Sequence, residues 1–151
     1  MKLVAAGAVL GWLSVMAFFG GIVAPAAFTT LDREAAGRFV SAVFPRYYVG
    51  GAALGAVALA ALVARASTGR FRLGDGLPLL LVAVMLAATL YAWLVVLPAA
   101  HAAREAARQV AAGAASPEAM AFARLHRLSG MLNGVTMVAG VMVLVALGVR
   151  R

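Results

Sequence analysis

The chain has 151 residues, of which 65% are hydrophobic and only 12% charged, proportions far from those of a soluble globular domain. Its formal charge of +8 does not point to nucleic acid, because the basic residues sit at the ends of apolar runs, where they anchor spans and meet anionic head groups. Without cysteine it can form no disulfide, thiolate metal site or thiol nucleophile.

A helix needs roughly 20 apolar residues to cross a hydrocarbon core of about 30 Å. Four uncharged runs reach that range, residues 3–23, 47–64, 77–97 and 128–149. They predict an all-α integral membrane four-helix bundle, one domain over residues 1–151. The first run follows Met1-Lys2 and closes on Ala24-Pro25-Ala26, in the manner of a secretory signal. It exceeds the apolar core of about 7–15 residues usual for such a signal, so an uncleaved span is expected.

Between spans one and two, Thr30 is placed to cap a short amphipathic helix with Asp32 and Glu34 in its first turn. Glu34 and Arg38 stand four apart beside Ser41, while Phe39, Val40, Val43 and Phe44 take the other side. Pro45 is expected to end this helix, which would lie on the membrane surface. The middle connector, 65–76, reads as a basic turn rich in glycine. In the third connector His101, Arg104, Glu105 and Arg108 share a helical stretch that breaks at Gly113, and Ser116-Pro117 opens another. Both long connectors, each with short amphipathic helices, thus fall on one side of the bundle.

The run Val23-Ala24-Pro25-Ala26-Ala27-Phe28 closes the first span, and Val96-Leu97-Pro98-Ala99-Ala100-His101 closes the third. Each is followed by an external helix and another span. This is the pattern of a duplicated helical hairpin related by an axis along the membrane normal, with chance recurrence in an alanine-rich chain as the alternative. With the N-terminus inside, basic counts are nearly equal on the two sides. The crowding of Arg65, Arg70 and Arg72 in the short turn and of Arg150 and Arg151 at the end favours cytoplasmic N- and C-termini in the cell (inner) membrane. Twelve arginines against one lysine, with abundant alanine, suggest a GC-rich bacterial source.

No phosphate-binding loop, nucleophile elbow or HExxH motif is present in the sequence. A polar strip opens span four: His126, Ser129, Asn133 and Thr136 fall within an arc of about 80° on a helix. An amide some 10 Å along the helix from His126 is costly against lipid, so the strip should face the bundle interior. Either it is polar glue between helices or it lines a small pocket with His126 at its mouth. Gly130 and Gly134 border it, Gly7, Gly11, Ser14, Phe18, Gly21 and Pro25 share a face of span one, and Gly51, Gly55 and Ala58 share one of span two. These small residues read as helix-packing positions. Trp12, Trp93, Tyr47 and Tyr48 read as interface-belt or packing residues. His101 and His126, with methionines 16, 85, 131 and 137, are weak candidates for copper or haem iron. Arg124 and Arg127 read first as interfacial anchors and could also meet a lipid phosphate or an anionic substrate.

Three motifs, VAPAAFTTLDREAAGRF at 23–39, FPRYY at 44–48 and RLHRLSGMLN at 124–133, resemble the transmembrane-protein-205-like family. The resemblance implies a four-helix membrane domain with no established reaction, whose recurring residues gather on one face. Pro25 and Phe28 match the first motif. Phe44, Pro45, Tyr47 and Tyr48 match the second, and Arg124, Leu125, His126, Ser129 and Asn133 the third. A looser likeness is to copper-resistance membrane proteins and haem-linked protoporphyrinogen oxidases, but the first span lacks the histidine that those haem proteins place there.

The leading expectation is a non-enzymatic bundle, without cofactor, that binds a small ligand, a lipid head group or a membrane partner at its outer face. The binding residues would be Arg124, His126, Ser129, Asn133, Pro25, Phe28, Phe44, Pro45, Tyr47 and Tyr48. The alternatives are a haem- or copper-dependent redox protein using His101 and His126, and a transporter or export accessory acting as a homo-oligomer.

Overall fold

The computed structural model describes residues 1–70, 76–109 and 116–148. Four helices make up nearly all of it: α1 (Lys2–Thr30), α2 (Arg33–Thr68), α3 (Gly76–Gln109) and α4 (Pro117–Gly148), each long and apolar enough to cross a membrane. Successive helices pack side by side and α1 also packs on α4, closing a four-helix bundle. Its surface is inverted relative to a soluble protein. Only 28–33% of each apolar window is buried, and Leu3, Leu10, Ile22, Val57, Leu80, Leu94 and Val138 all point outward, as lipid-facing side chains do.

The amphipathic segments foreseen in the connectors are helical, but they continue the spans and do not stand as separate surface helices. Helix α2 passes through Pro45 without ending. In lipid a broken helix exposes backbone groups that nothing satisfies, so a proline is accommodated within a helix more readily than the helix is stopped. One turn of helix beside Pro45 is covered by the Arg46 guanidinium, which donates to the Ala42 carbonyl at 3.0 Å. The cap also differs from expectation. Thr30 closes α1, donating its hydroxyl to Ala26 at 2.7 Å. Asp32 opens α2, accepting from the Glu34 and Ala35 amides at 3.0 and 2.8 Å. Ser116 caps α4 as its position suggests, accepting from the Ala119 amide at 3.1 Å. Gly113 and residues 71–75 of the middle connector lie outside the described residues. The connector's first part, Ala66–Arg70, continues α2 as a π-helical segment and does not form the expected turn.

Prolines 25 and 98 are handled identically. Each follows a widened π turn, Phe19–Val23 and Ala92–Val96, in which the Ala24 amide reaches back to Phe19 and the Leu97 amide to Ala92. A proline in a regular helix clashes with the carbonyl four residues back, and the extra residue in the turn moves that carbonyl aside. The same device at the same place in both hairpins supports the duplication.

The bundle core lies between the π turns and the opposite ends of the helices. Trp12 and Leu13 of α1, Leu62 of α2, Met85 of α3 and Val143 of α4 meet there. Close approach depends on three glycines. A Cβ on Gly51 would stand 2.6 Å from Trp12 Nε1, one on Gly55 2.7 Å from the Trp12 ring, and one on Gly140 2.6 Å from Leu13. Sequence spacing located Gly51 and Gly55 and missed Gly140. On α1 the buried face is Ala5, Ala8, Val9, Trp12, Leu13 and Met16. Gly7 and Ser14 face outward and Gly11 touches only Leu54. Gly130 and Gly134 are likewise exposed, with no side chain within 4 Å of where a Cβ would be. Large side chains, rather than small ones, carry the α1 contact, because Trp12 fills the groove that the α2 glycines leave.

Gly55→Leu is therefore expected to destabilise the protein by about 1–3 kcal/mol through overpacking against Trp12, while Gly134→Leu stays within about 0.5 kcal/mol of the parent; unfolding in detergent compares the two. The Asp32 carboxyl is held below its ordinary pKa, chiefly by the Ala35 amide and less by that of Glu34 and by Arg38. Its cap is complete above about pH 4 and is lost as pH falls through the lowered folded value. The protection of the Ala35 amide, its exchange rate relative to that of an unstructured peptide at the same pH, should fall only in that acid range.

Candidate functional site

Helix length sets the site's position. At 36 residues, α2 is about 54 Å long, against a hydrocarbon core of about 30 Å. With Arg65 at one boundary, about 30 Å of helix reaches Pro45 at the other, and the charged turns from Arg33 to Arg38 extend beyond it. The equivalent ends of α3, from His101 to Gln109, and of α4, from Pro117 to Arg127, stand beside it. Between these projecting ends lies a cavity of about 650 Å³.

Its floor is at the level where the spans leave the apolar layer. Phe44 and Tyr48 come from α2, Val96 and Leu97 from the second π turn and its exit, and Ser129 from α4, while Val40, Phe122 and Leu125 rise from it as apolar sides. Above them the rim is polar: Arg33, Glu34, Ser41, His101, Arg104, Arg108 and His126, with Phe28 of α1 at one edge. The floor rests on a cluster of rings, with Phe19, Phe44, Tyr47 and Tyr48 in successive contact at centroid separations of 5.1–6.1 Å. Ring pairs at such spacing favour tilted and offset arrangements and resist shear.

Two tyrosines bind α2 to the polar strip of α4. Tyr47 donates to Asn133 Oδ1 at 3.0 Å, and the Tyr48 hydroxyl shares a hydrogen bond with Ser129 at 3.0 Å. Thr136, one turn further from the rim, donates to its own helix at Leu132. The strip thus divides. Asn133 and Tyr47 form an inter-helix bond beneath the cavity, and Ser129 and Tyr48 form one in its wall.

At the rim, Arg104 crosses from α3 to α2. Its Nη1 donates to the Gly37 carbonyl at 2.8 Å and to Ser41 Oγ at 2.9 Å, and a side chain on Gly37 would collide with the guanidinium. Glu34 accepts from Arg38 at 2.8 Å and faces Arg108 at 3.6 Å, while Arg108 also approaches Glu105 at 3.4 Å. These pairs are exposed by 40–66% and contribute little to stability. His126 stacks on Phe122 at 6.1 Å.

Of the residues singled out from sequence, Phe28, Phe44, Tyr48, His126 and Ser129 line the cavity together. Tyr47 and Asn133 lie beneath it. Pro25, Pro45 and Arg124 do not line it: Pro25 and Arg124 are exposed and Pro45 serves helix α2. His101 and His126 face the same cavity from α3 and α4, but among the described residues no group of three or more His, Asp or Glu could hold a metal. None of methionines 16, 85, 131 and 137 is in its lining. Arg104, Arg108, Glu34 and Gly37 were not foreseen as site residues. Their signal was present: Leu97, His101, Arg104 and Arg108 follow one another at intervals of four and three, a single stripe once α3 is continued past Pro98.

The family model described as a domain of unknown function, DUF4149, matches residues 6–109. The chain belongs to the DUF4149 family. The DUF4149 match takes in α1, α2 and α3, including both π turns and two of the cavity's walls, and it carries two of the three sequence motifs. The wall on α4 and the motif at 124–133 lie beyond it. It lends no support to the transmembrane-protein-205-like name. No curated protein and no solved structure matches the chain.

Tyr47→Phe should cost about 1 kcal/mol, since Asn133 then lacks its partner in a poorly hydrated layer. Combining it with Asn133→Leu should recover most of that loss, which a double-mutant cycle of unfolding in detergent would measure.

Proposed function

We propose that this chain is a membrane-embedded binding protein, taking one small amphipathic molecule into the cavity between α2, α3 and α4. The observation that carries this reading is the cavity's placement: about 650 Å³, within the range of ligand sites of about 300–1,000 Å³, with an apolar floor at the membrane boundary and a polar rim above it. A molecule partitioned into the interfacial layer already has its apolar part at the depth of Phe44 and Leu97 and its head at the depth of Arg104 and His126. It would enter with little reorientation.

Binding rather than catalysis is favoured by the lining. The single rim carboxylate, Glu34, is engaged by Arg38 and Arg108, the hydroxyls of Ser129 and Tyr48 are bonded to each other, and His126, the base nearest them in sequence, stacks on Phe122. The rings below the floor and the Tyr–Asn and Tyr–Ser bonds hold the walls in one arrangement, which lowers the ordering cost of binding. The site is on the side of both long connectors, so the compartment it serves follows from the orientation expected above.

Ala100→Phe, which places a ring in the cavity from α3, is expected to abolish retention of co-purifying or added amphiphile, as followed by native mass spectrometry, while leaving the unfolding temperature near that of the parent. His126→Ala should weaken retention, whereas Asn133→Ala, below the floor, should reduce stability more than retention. Equal retention by the parent and Ala100→Phe would refute the cavity as the binding site.

A further inference from the structure

We propose that the occupant is a single-chain amphiphile with an anionic head, a phosphate or a carboxylate, and that Arg104 seats this head. The inference rests on the cavity reading above and adds the ligand's chemistry to it. Three arginines, Arg33, Arg104 and Arg108, line the rim against one carboxylate, Glu34, so the mouth is cationic even with His101 and His126 neutral.

Arg104 is set apart from the other two by how it is held. It is half-buried, its Nη1 is fixed by the Gly37 carbonyl and Ser41 Oγ, and among the described residues it has no carboxylate partner. A guanidinium partly withdrawn from water, with neutral acceptors but no counter-anion, is costly. An oxyanion meeting its remaining N–H groups would relieve that cost through charge-assisted, two-pronged hydrogen bonds, for which the planar fork of arginine is suited. The two neutral acceptors on α2 orient the fork without neutralising it. Gly37 is the condition for this placement, because any side chain there would occupy the guanidinium's position.

Arg108 supplies a second cation on the same stripe. Its contact with Glu34 is long, 3.6 Å, and exposed, so it can exchange that carboxylate for a ligand oxyanion at little cost. The apolar part of the ligand then passes along Val40, Phe122 and Leu125 and descends to Phe44, Val96 and Leu97. The volume suits one chain of a molecule of drug-like size.

The test is calorimetric titration of the purified full chain in a neutral detergent with four probes: oleate, oleoyl lysophosphatidic acid, the uncharged monoolein, and inorganic phosphate. Oleate and lysophosphatidic acid are expected to bind once per chain, with monoolein weaker by about tenfold or more, the equivalent of one lost charge-assisted hydrogen bond, and inorganic phosphate weaker still. Gly37→Ala replaces a helix glycine by a better helix former, so it should fold at least as well. It should nevertheless reduce the affinity for the anionic probes to that for monoolein, by displacing Arg104. Arg104→Gln should do the same, and Arg104→Lys should recover part of the affinity. Monoolein binding as tightly as oleate, or anionic affinity unchanged in both Gly37→Ala and Arg104→Gln, would overturn the anionic seat and leave the cavity reading standing. Inorganic phosphate binding as tightly as lysophosphatidic acid would overturn the amphiphile. No binding of any amphiphile would overturn both readings.

Discussion

In a hydrocarbon layer every backbone amide and carbonyl must find its partner within its own segment, and much of this structure follows from that. Prolines 25, 45 and 98 stand beyond the first turn of α1, α2 and α3, and none of them ends a helix. At Pro25 and Pro98 the helix widens by one residue. At Pro45 it runs straight on. Because the helices do not stop, they overshoot the bilayer on one side, and their charged ends stand together above it. The cavity is the space between those ends.

The widened turns also change which faces meet. One additional residue rotates the following helix by about 100°, so the segment beyond each π turn presents a different stripe from the span below. On α3 this brings Leu97, His101, Arg104 and Arg108 round toward α2 and α4. On α1 it places Ala27 against Ala36 and Val40, beyond the contact of Phe19, at the start of the turn, with Phe44 and Tyr47. A second small core thus forms beneath the site, separate from the one around Trp12. The lower core holds the bundle through a close α1–α2 approach, and the upper one fixes the walls of the cavity.

Polar groups are distributed by depth. Thr136, the furthest of them from the rim, bonds only within its own helix. Asn133 and Ser129 bond across to α2, and His126 opens to the rim. This gradation follows the cost of an unsatisfied polar group, which is highest in the apolar layer and falls toward the interface. It also explains why the rim alone carries groups with capacity to spare for a ligand, Arg104 foremost among them.

Composition and run length were enough to determine the class of fold and the number of long apolar helices, because the transfer cost of charge into lipid acts on each residue regardless of its neighbours. The polar strip from His126 to Thr136 was legible for a similar reason: helical periodicity alone places its members on one face. Prolines and charges in the connectors misled, since propensity predicts a break at Pro45 where the missing alternative partner in lipid forbids one. The burial of Trp12 in place of Gly7 and Ser14, the close approach at Gly140, and the seat that Gly37 and Ser41 make for Arg104, 67 and 63 residues away in sequence, were decided by tertiary structure. Each depends on which helix lies opposite and at what rotation, and the π turns set that rotation through backbone geometry that no local pattern of side chains encodes.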